Sequence, residues 1–261
     1  AIRCKMKIFI KLCFLGTDFS GYQVQKNART VLGELCRAAE ELFGFRCDVT
    51  GCSRTDSGVH ANMFCAAISG RDRVLETTIP MDRFPRVLNS FLPDDVAVYE
   101  AKWVRDEFHP RYDVKYKEYI YKVNCSYERD PFEMGRALMY PYVFSDANIE
   151  RMRRAAKHLE GTHDFSSYMA QGSAPESTVR TIFYTDVLYD GKNLVFKIAG
   201  DGFLYNMVRI IVGTLLSVAR GKTAPDDIPL ITEAHDRSRA GITVRADGLY
   251  LNYVEYDGKD K

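Results

Sequence analysis

Arg54-Thr55-Asp56 sits inside the stretch Thr50-Gly51-Cys52-Ser53-Arg54-Thr55-Asp56-Ser57-Gly58-Val59-His60-Ala61, with apolar runs on either side. A loop that only joins two strands needs turn chemistry, which Gly with Ser or Asp supplies. It does not need an arginine two residues before an aspartate. Two readings follow. One is an Asx-type turn with a solvated arginine. The other is a carboxylate set out for chemistry, on a backbone path that Gly51 and Gly58 permit.

Two further stretches carry reactive or binding side chains. His109-Pro110-Arg111-Tyr112 is followed by Lys115-Tyr116-Lys117-Glu118-Tyr119-Ile120-Tyr121-Lys122. Tyr119 and Tyr121 fall on one face of a strand, with Lys115 and Lys117 beside them. Aromatics interleaved with cations suit nucleotide stacking and phosphate contact; they also suit a plain sheet surface with snorkelling lysines. The third stretch is Gly200-Asp201-Gly202-Phe203-Leu204-Tyr205-Asn206-Met207-Val208-Arg209, running into Ile210-Ile211-Val212. An arginine in so apolar a helix needs a partner, because an unpaired buried charge is costly. Asp201 or Asp227 could supply a structural pair; Asp56 would make it part of a reactive centre.

The elements that must position these groups follow from hydrophobic period. Met6–Phe14 alternates as a strand, and Thr30 caps a helix through Phe43 that Gly44 ends. Phe45–Thr50 and Asn62–Ser69 read as strands around the Asp56 loop, Asp82–Phe91 as a helix and Val96–Val104 as a strand. The order β-α-β-β-α-β suits a split-βαβ unit. The second half repeats the theme. It has a strand at Tyr116–Asn124, a helix capped by Ser145 and stopped by Gly161, and a hairpin of Thr178–Tyr189 with Asn193–Ala199 about Asp190-Gly191. A helix at Phe203–Ala219, a shorter one at Pro225–Ala234 and a strand at Gly248–Tyr256 complete it. The expected fold is α+β: two ferredoxin-like (RRM-like) βαββαβ halves, residues 1–105 and 106–261, joined into one continuous, mostly antiparallel sheet. Helices would cover one face and a catalytic cleft would open on the other.

Composition narrows the classes. The 261 residues are 46% hydrophobic and 27% charged, with a formal net charge of +1, as in an ordinary soluble protein. That total excludes a polycationic tail but leaves room for a local basic groove; Lys115, Lys117 and the Arg151–Lys157 face are candidates to line one. Sixteen Tyr and fifteen Phe stand against one Trp. The seven cysteines form no CxxC pair and the five histidines are scattered, which points to buried thiols in a reducing compartment rather than to a metal site. No apolar run reaches the roughly 20 residues of a membrane span, and the first residues lack a signal-peptide core. A cytoplasmic protein is expected.

Taken together, in this order and spacing, the three stretches resemble the TruA family of tRNA pseudouridine synthases. Arg54-Thr55-Asp56 with Gly58-Val59-His60-Ala61 is similar to that family's catalytic signature. His109, Arg111 and Tyr119-Ile120-Tyr121 are similar to its middle motif, and Phe203-Leu204, Met207-Val208-Arg209 and Val212-Gly213 to its C-terminal helix motif. Gly21, Gln23, Gln25, Asp164-Phe165 and Gly248-Leu249-Tyr250-Leu251 match further positions. The resemblance implies a cofactor-free and metal-free isomerisation of uridine to pseudouridine in the anticodon stem-loop of tRNA, at positions 38–40 in the family, by a homodimer. It implies Asp56 as the catalytic aspartate, Tyr119 as the active-site tyrosine and Arg209 as the basic partner of the aspartate. Arg54 would enter the RNA where the target base leaves, with Gln23, Arg111, Lys115 and Lys117 as further substrate contacts. Another RNA target, or a tRNA-binding protein without catalysis, are the alternatives. The chain departs from the family pattern at Cys52, Ser53 and Ser57, at Tyr22 in place of Trp, at Leu15 in place of Asp, and at Tyr205-Asn206 in place of a His pair.

Overall fold

The structure, a computed structural model, describes residues 6–258. The architecture is α+β with mostly antiparallel strands. It divides into two compact units, Ala1–Lys115 with Leu251–Lys261, and Tyr116–Tyr250.

In the first unit, β1 (Met6–Phe14) pairs antiparallel with β3 (His60–Gly70) on one side and β4 (Val96–Arg105) on the other. β2 (Cys47–Gly51) joins the far end of β3. Leu251–Glu255 of β10 (Leu249–Glu255) also runs beside β3, where the Asn62 amide donates to Asn252 Oδ1 at 2.8 Å. Alternation along β1 splits its side chains. Ile8, Ile10, Leu12 and Phe14 are buried on one face, and Phe9 on the other meets Phe108 and Tyr256 edge to face. Each such burial contributes about 1.5–3 kcal/mol.

Helices α1 (Val31–Phe43) and α2 (Phe84–Asn89) pack against β2 and β4 and meet each other through Phe43 and Phe84, with ring centroids 6.2 Å apart. Thr30 caps α1 by accepting from the Gly33 N–H, and Gly44 ends it at φ 72°, as its sequence requires. α2 is shorter than the expected Asp82–Phe91. The N–H groups of Arg83 and Phe84 both donate to Pro80 O, so the approach is a turn, and Ser90 to Leu92 close with i→i+3 bonds. The second strand starts at Cys47, not Phe45, because its partner β3 ends at Gly70, opposite Cys47; the Phe45 ring packs on Phe43 at 5.9 Å.

The second unit orders its strands β5-β9-β8-β7, all antiparallel: β5 (Tyr116–Asn124), β9 (Asn193–Gly200), β8 (Val179–Tyr189) and β7 (Gly161–Asp164). The two-residue β6 (Leu138–Met139) lies parallel to the end of β5. Helices α3 (Asp146–Lys157) and α4 (Met207–Ala219) pack together, α3 against β8 and α4 against β5. A 3-10 turn at Pro225–Asp227 leads into α5 (Ile228–Glu233). Ser145 and Asn148 form the capping box that starts α3.

Two further expectations differ from the structure. β6 and β7 are too short to show a period. Gly161, read as a helix stop, opens β7 at φ 103°. α4 starts at Met207 rather than Phe203, because Asn206 adopts φ 58° and breaks the helical path before it. The outward cations of α3 carry partners: the Arg153 Nε–H donates to Val187 O at 3.0 Å, Lys157 Nζ to Thr185 O at 3.3 Å and to Glu160 at 2.7 Å, and Arg154 pairs with Asp226; Arg153 and Lys157 also line a hollow with Lys197 and Glu118. Glu160 in turn accepts from the Thr185 N–H at 2.7 Å and hydroxyl at 2.9 Å. These side chains occupy β8 backbone groups that β7, pairing only through Ile182, leaves without a strand partner.

Candidate active site

The Arg54-Thr55-Asp56 loop leaves β2 at Gly51 and re-enters the sheet at His60. Its entry is held by the Cys52 N–H, which donates to Cys65 O at 2.8 Å, while Cys52 Sγ accepts from the Cys65 N–H at 3.4 Å. Its tip is a turn closed by the Val59 N–H on Asp56 O, with Gly58 at φ 79°.

A second loop, residues 15–30, grips this one. The Gly16 N–H donates to His60 Nδ1 at 2.9 Å, so that nitrogen carries no proton and the buried ring is held as the Nε2–H tautomer. The Ser57 hydroxyl and the Gly58 N–H both donate to Phe19 O, at 3.2 and 3.3 Å. The Tyr22 N–H donates to Thr55 O at 3.0 Å. Two glycines make the approach possible. A Cβ at Gly16 would lie 1.9 Å from Val59 O; one at Gly21, which has φ 94°, would lie 2.8 Å from Thr55 O.

The gripping loop is itself anchored. The Arg29 guanidinium covers the Phe19 ring at 4.1 Å and binds both oxygens of Asp95 at 2.7 and 2.8 Å. That carboxylate pushes the Arg29 pKa further up. Beneath the grip, Tyr22 stacks on Phe64 with centroids 4.5 Å apart. Its hydroxyl is buried without a hydrogen-bond partner among the described residues, and burial, then the nearby Cys52 and Cys36, raise its pKa well above the usual value. The Thr55 hydroxyl is likewise buried and without a partner among the described residues.

So the loop holds Thr55 inside and leaves Arg54 exposed and Asp56 partly exposed. Gln23 stands on the exposed part of the gripping loop. Arg111 is exposed on the loop after β4, and Lys115 is tied to Asp257 at 2.7 Å. The first unit therefore carries Arg54, Asp56, Gln23, Arg111 and Lys115.

The second unit carries Tyr119, Arg209 and Lys117. Tyr119 lies on β5 opposite Ile198 of β9, is 7% exposed, and meets Phe203 edge to face at 5.0 Å. Arg209 lies in the first turn of α4. Its Nε–H donates to Val244 O and its Nη1–H to Asn206 Oδ1, both at 2.7 Å. The two acids that could have made a local pair are engaged elsewhere: Asp201 accepts from the Thr181 N–H and Asp227 from the Ala224 N–H. Behind Tyr119, the fully buried Tyr121 donates to Arg245 O at 2.6 Å. Gly248 lets that ring sit close, since a Cβ there would lie 2.7 Å from it. Lys117 is half-buried at the start of β5.

Among the described residues, no three His, Cys, Asp or Glu side chains gather as a metal site would require, and no helix is long and apolar enough to cross a membrane. Sequence reasoning missed the structural role of His60 and Phe19. The only signal for them was their nearness in sequence to glycines that turned out to be contact points.

The Asp56 loop is thus held at Gly16, Phe19 and Tyr22 of its own unit, and Tyr119 and Arg209 are each held within theirs. Comparison with known proteins gives the class. Residues 155–257 match the family model described as tRNA pseudouridine synthase. Across nearly the whole chain, the protein is 42% identical to a tRNA pseudouridine synthase A from Clostridium acetobutylicum (92% of this chain, 96% of that one). It is 45% identical to one from Acetivibrio thermocellus over the same shares and 42% identical to one from Anoxybacillus flavithermus (96% and 99%). A solved Cbf5-Nop10-Gar1 complex aligns with 83% of the chain at 12% identity and a TM-score of 0.32, below the level of a shared fold. The chain belongs to the tRNA pseudouridine synthase A family, TruA, and is an isomerase.

Proposed function

We propose that the protein isomerises uridine to pseudouridine in the anticodon stem-loop of tRNA, at positions 38–40, with Asp56 as the catalytic carboxylate and without a cofactor. The reaction breaks the C1′–N1 bond, turns the base and forms a C1′–C5 bond; the C5 proton is lost and N1 gains one. An ionised carboxylate can bond covalently in the intermediate, or stabilise the sugar cation and move the proton. The observation that carries this reading is the grip on the Asp56 loop. Backbone and side-chain hydrogen bonds from Gly16, Tyr22, Ser57 and Gly58 fix the segment that presents one acid and one exposed arginine. Such preorganisation is what positioning a reacting group demands.

In this reading Tyr119 stacks on the extruded base, Arg209 neutralises the aspartate and Arg54 fills the space the base leaves. Extraction of a stacked base costs a few kcal/mol, which contacts of this kind offset. Gln23, Arg111, Lys115 and Lys117 contact the RNA. The active form is a cytoplasmic homodimer. Its two ferredoxin-like halves, residues 1–105 and 106–261, join in one sheet with the cleft on the face away from the helices. Incubation with an unmodified tRNA transcript, followed by mapping at nucleotide resolution, should place pseudouridine at positions 38–40. A map showing other positions would retain the enzyme class and overturn the target.

A further inference from the structure

Tyr112 is a large aromatic side chain left 75% exposed, on a loop that is otherwise pinned at nearly every residue. The His109 N–H donates to Asp113 Oδ2 at 2.8 Å, and the Asp113 N–H returns to His109 O at 3.0 Å. His109 Nδ1 accepts from the N–H groups of Arg111 and Tyr112, at 3.1 and 3.3 Å. Tyr256 donates to Pro110 O at 2.7 Å, and the Phe108 ring is locked between Phe9 and Tyr256. The His109 ring backs Tyr112 with centroids 4.3 Å apart, and the Arg111 guanidinium lies 5.8 Å from the same ring.

With most of its surface outside the core the ring adds little hydrophobic stabilisation, and the hydrogen bonds hold the backbone around it in one path. A rigid ring backed on one side by imidazole, with a guanidinium at hand, has the chemistry that stacks unpaired nucleobases. Because the ring is already held, little side-chain entropy is lost on binding. We propose that Tyr112 is a stacking platform for an unpaired base of the bound RNA. The proposal rests on the tRNA reading above and adds a contact that the catalytic residues do not supply. Stacking is sequence-tolerant, since every base has a π-face, so the platform secures the RNA without choosing the uridine. It also releases no counterions, which separates it from a phosphate contact.

The test is the affinity of the full-length protein for an unmodified tRNA transcript across a salt series, for wild type, Tyr112→Phe and Tyr112→Leu. Tyr112→Phe should bind within about twofold of wild type. Tyr112→Leu should bind on the order of tenfold more weakly, in line with the loss of one stacked base. The slope of log affinity against log salt should not change, and the melting temperature of both variants should match wild type, because the ring is mostly outside the core. Three results would overturn the platform while leaving the enzyme reading intact: Tyr112→Leu binding as tightly as wild type, Tyr112→Phe failing as badly as Tyr112→Leu, or a loss that comes with a shallower salt slope. Wild-type protein that neither binds nor modifies tRNA would overturn the functional reading itself, and the platform with it.

Discussion

Replacing Gly21 with alanine should cripple catalysis out of proportion to its effect on stability. Gly21 sits at φ 94°, and an added Cβ would lie 2.8 Å from Thr55 O, 3.3 Å from Asp56 C and 3.3 Å from Ser57 N. The neighbours are backbone atoms, so no flexible side-chain end can swing away. Two costs add. The left-handed backbone costs a non-glycine residue about 1–3 kcal/mol, and the contact with Thr55 O forces the two loops apart. That separation strains the Tyr22 N–H bond to Thr55 O and shifts the residue next to it, Asp56. A misplacement of about 1 Å can lower a rate on the order of a hundredfold. The expected outcome is a kcat reduced roughly 10- to 100-fold and a Tm lowered by about 2–12 °C from the backbone cost alone, at about 2–4 °C per kcal/mol for a chain near this size. Single-turnover pseudouridine formation on a tRNA transcript, paired with thermal melting, measures both. Wild-type kcat in a folded Gly21→Ala protein would refute the claim that the close loop contact positions Asp56.

Tyr22→Phe keeps the stack on Phe64 and removes a buried hydroxyl that has no partner among the described residues. It should raise stability by about 1–2 kcal/mol, since an unsatisfied buried polar group costs that much; a loss in a denaturant melt would show that the hydroxyl is satisfied after all. The Glu160 pKa is pushed up by burial but brought below the usual carboxylate value by Lys157 and by the Thr185 N–H and hydroxyl. Its contribution to stability is therefore present above the unfolded-state value near 4.5 and is lost as pH falls through the lower folded value. Glu160→Gln should accordingly flatten the acid end of the stability curve below about pH 5, and an unchanged curve by chemical denaturation would contradict this assignment.

What could be read from the sequence divides along physical lines. Long periodic segments, such as α1 with its Thr30 cap and Gly44 stop, or the β8–β9 hairpin about Asp190-Gly191, are specified by local signals and came out as expected. β7 did not, because four residues hold no period and their place is decided by pairing with Val179–Ile182. The start of α4 was misplaced because Phe203 and Leu204 continue the apolar pattern, while the left-handed Asn206 that interrupts it has no hydropathy signature. Among the candidate residues, types were legible: Arg54 and Asp56 on one loop, and Tyr119 and Arg209 in the second unit, stood out by chemistry and spacing. Their support was not. The bond from Gly16 to His60 spans 44 residues, and nothing local to either residue encodes it. Likewise the outward cations of α3 were visible in the sequence, while the β8 carbonyls that accept from Arg153 and Lys157 were not.

The central claim is that Asp56 does the chemistry on a tRNA uridine. Single-turnover assay of wild type, Asp56→Asn and Asp56→Ala on an unmodified tRNA transcript tests it directly, with binding measured in parallel. The account predicts pseudouridine with wild type and none with either variant, while both variants bind the transcript within a few-fold of wild type. Pseudouridine formed at the wild-type rate by either variant would contradict it.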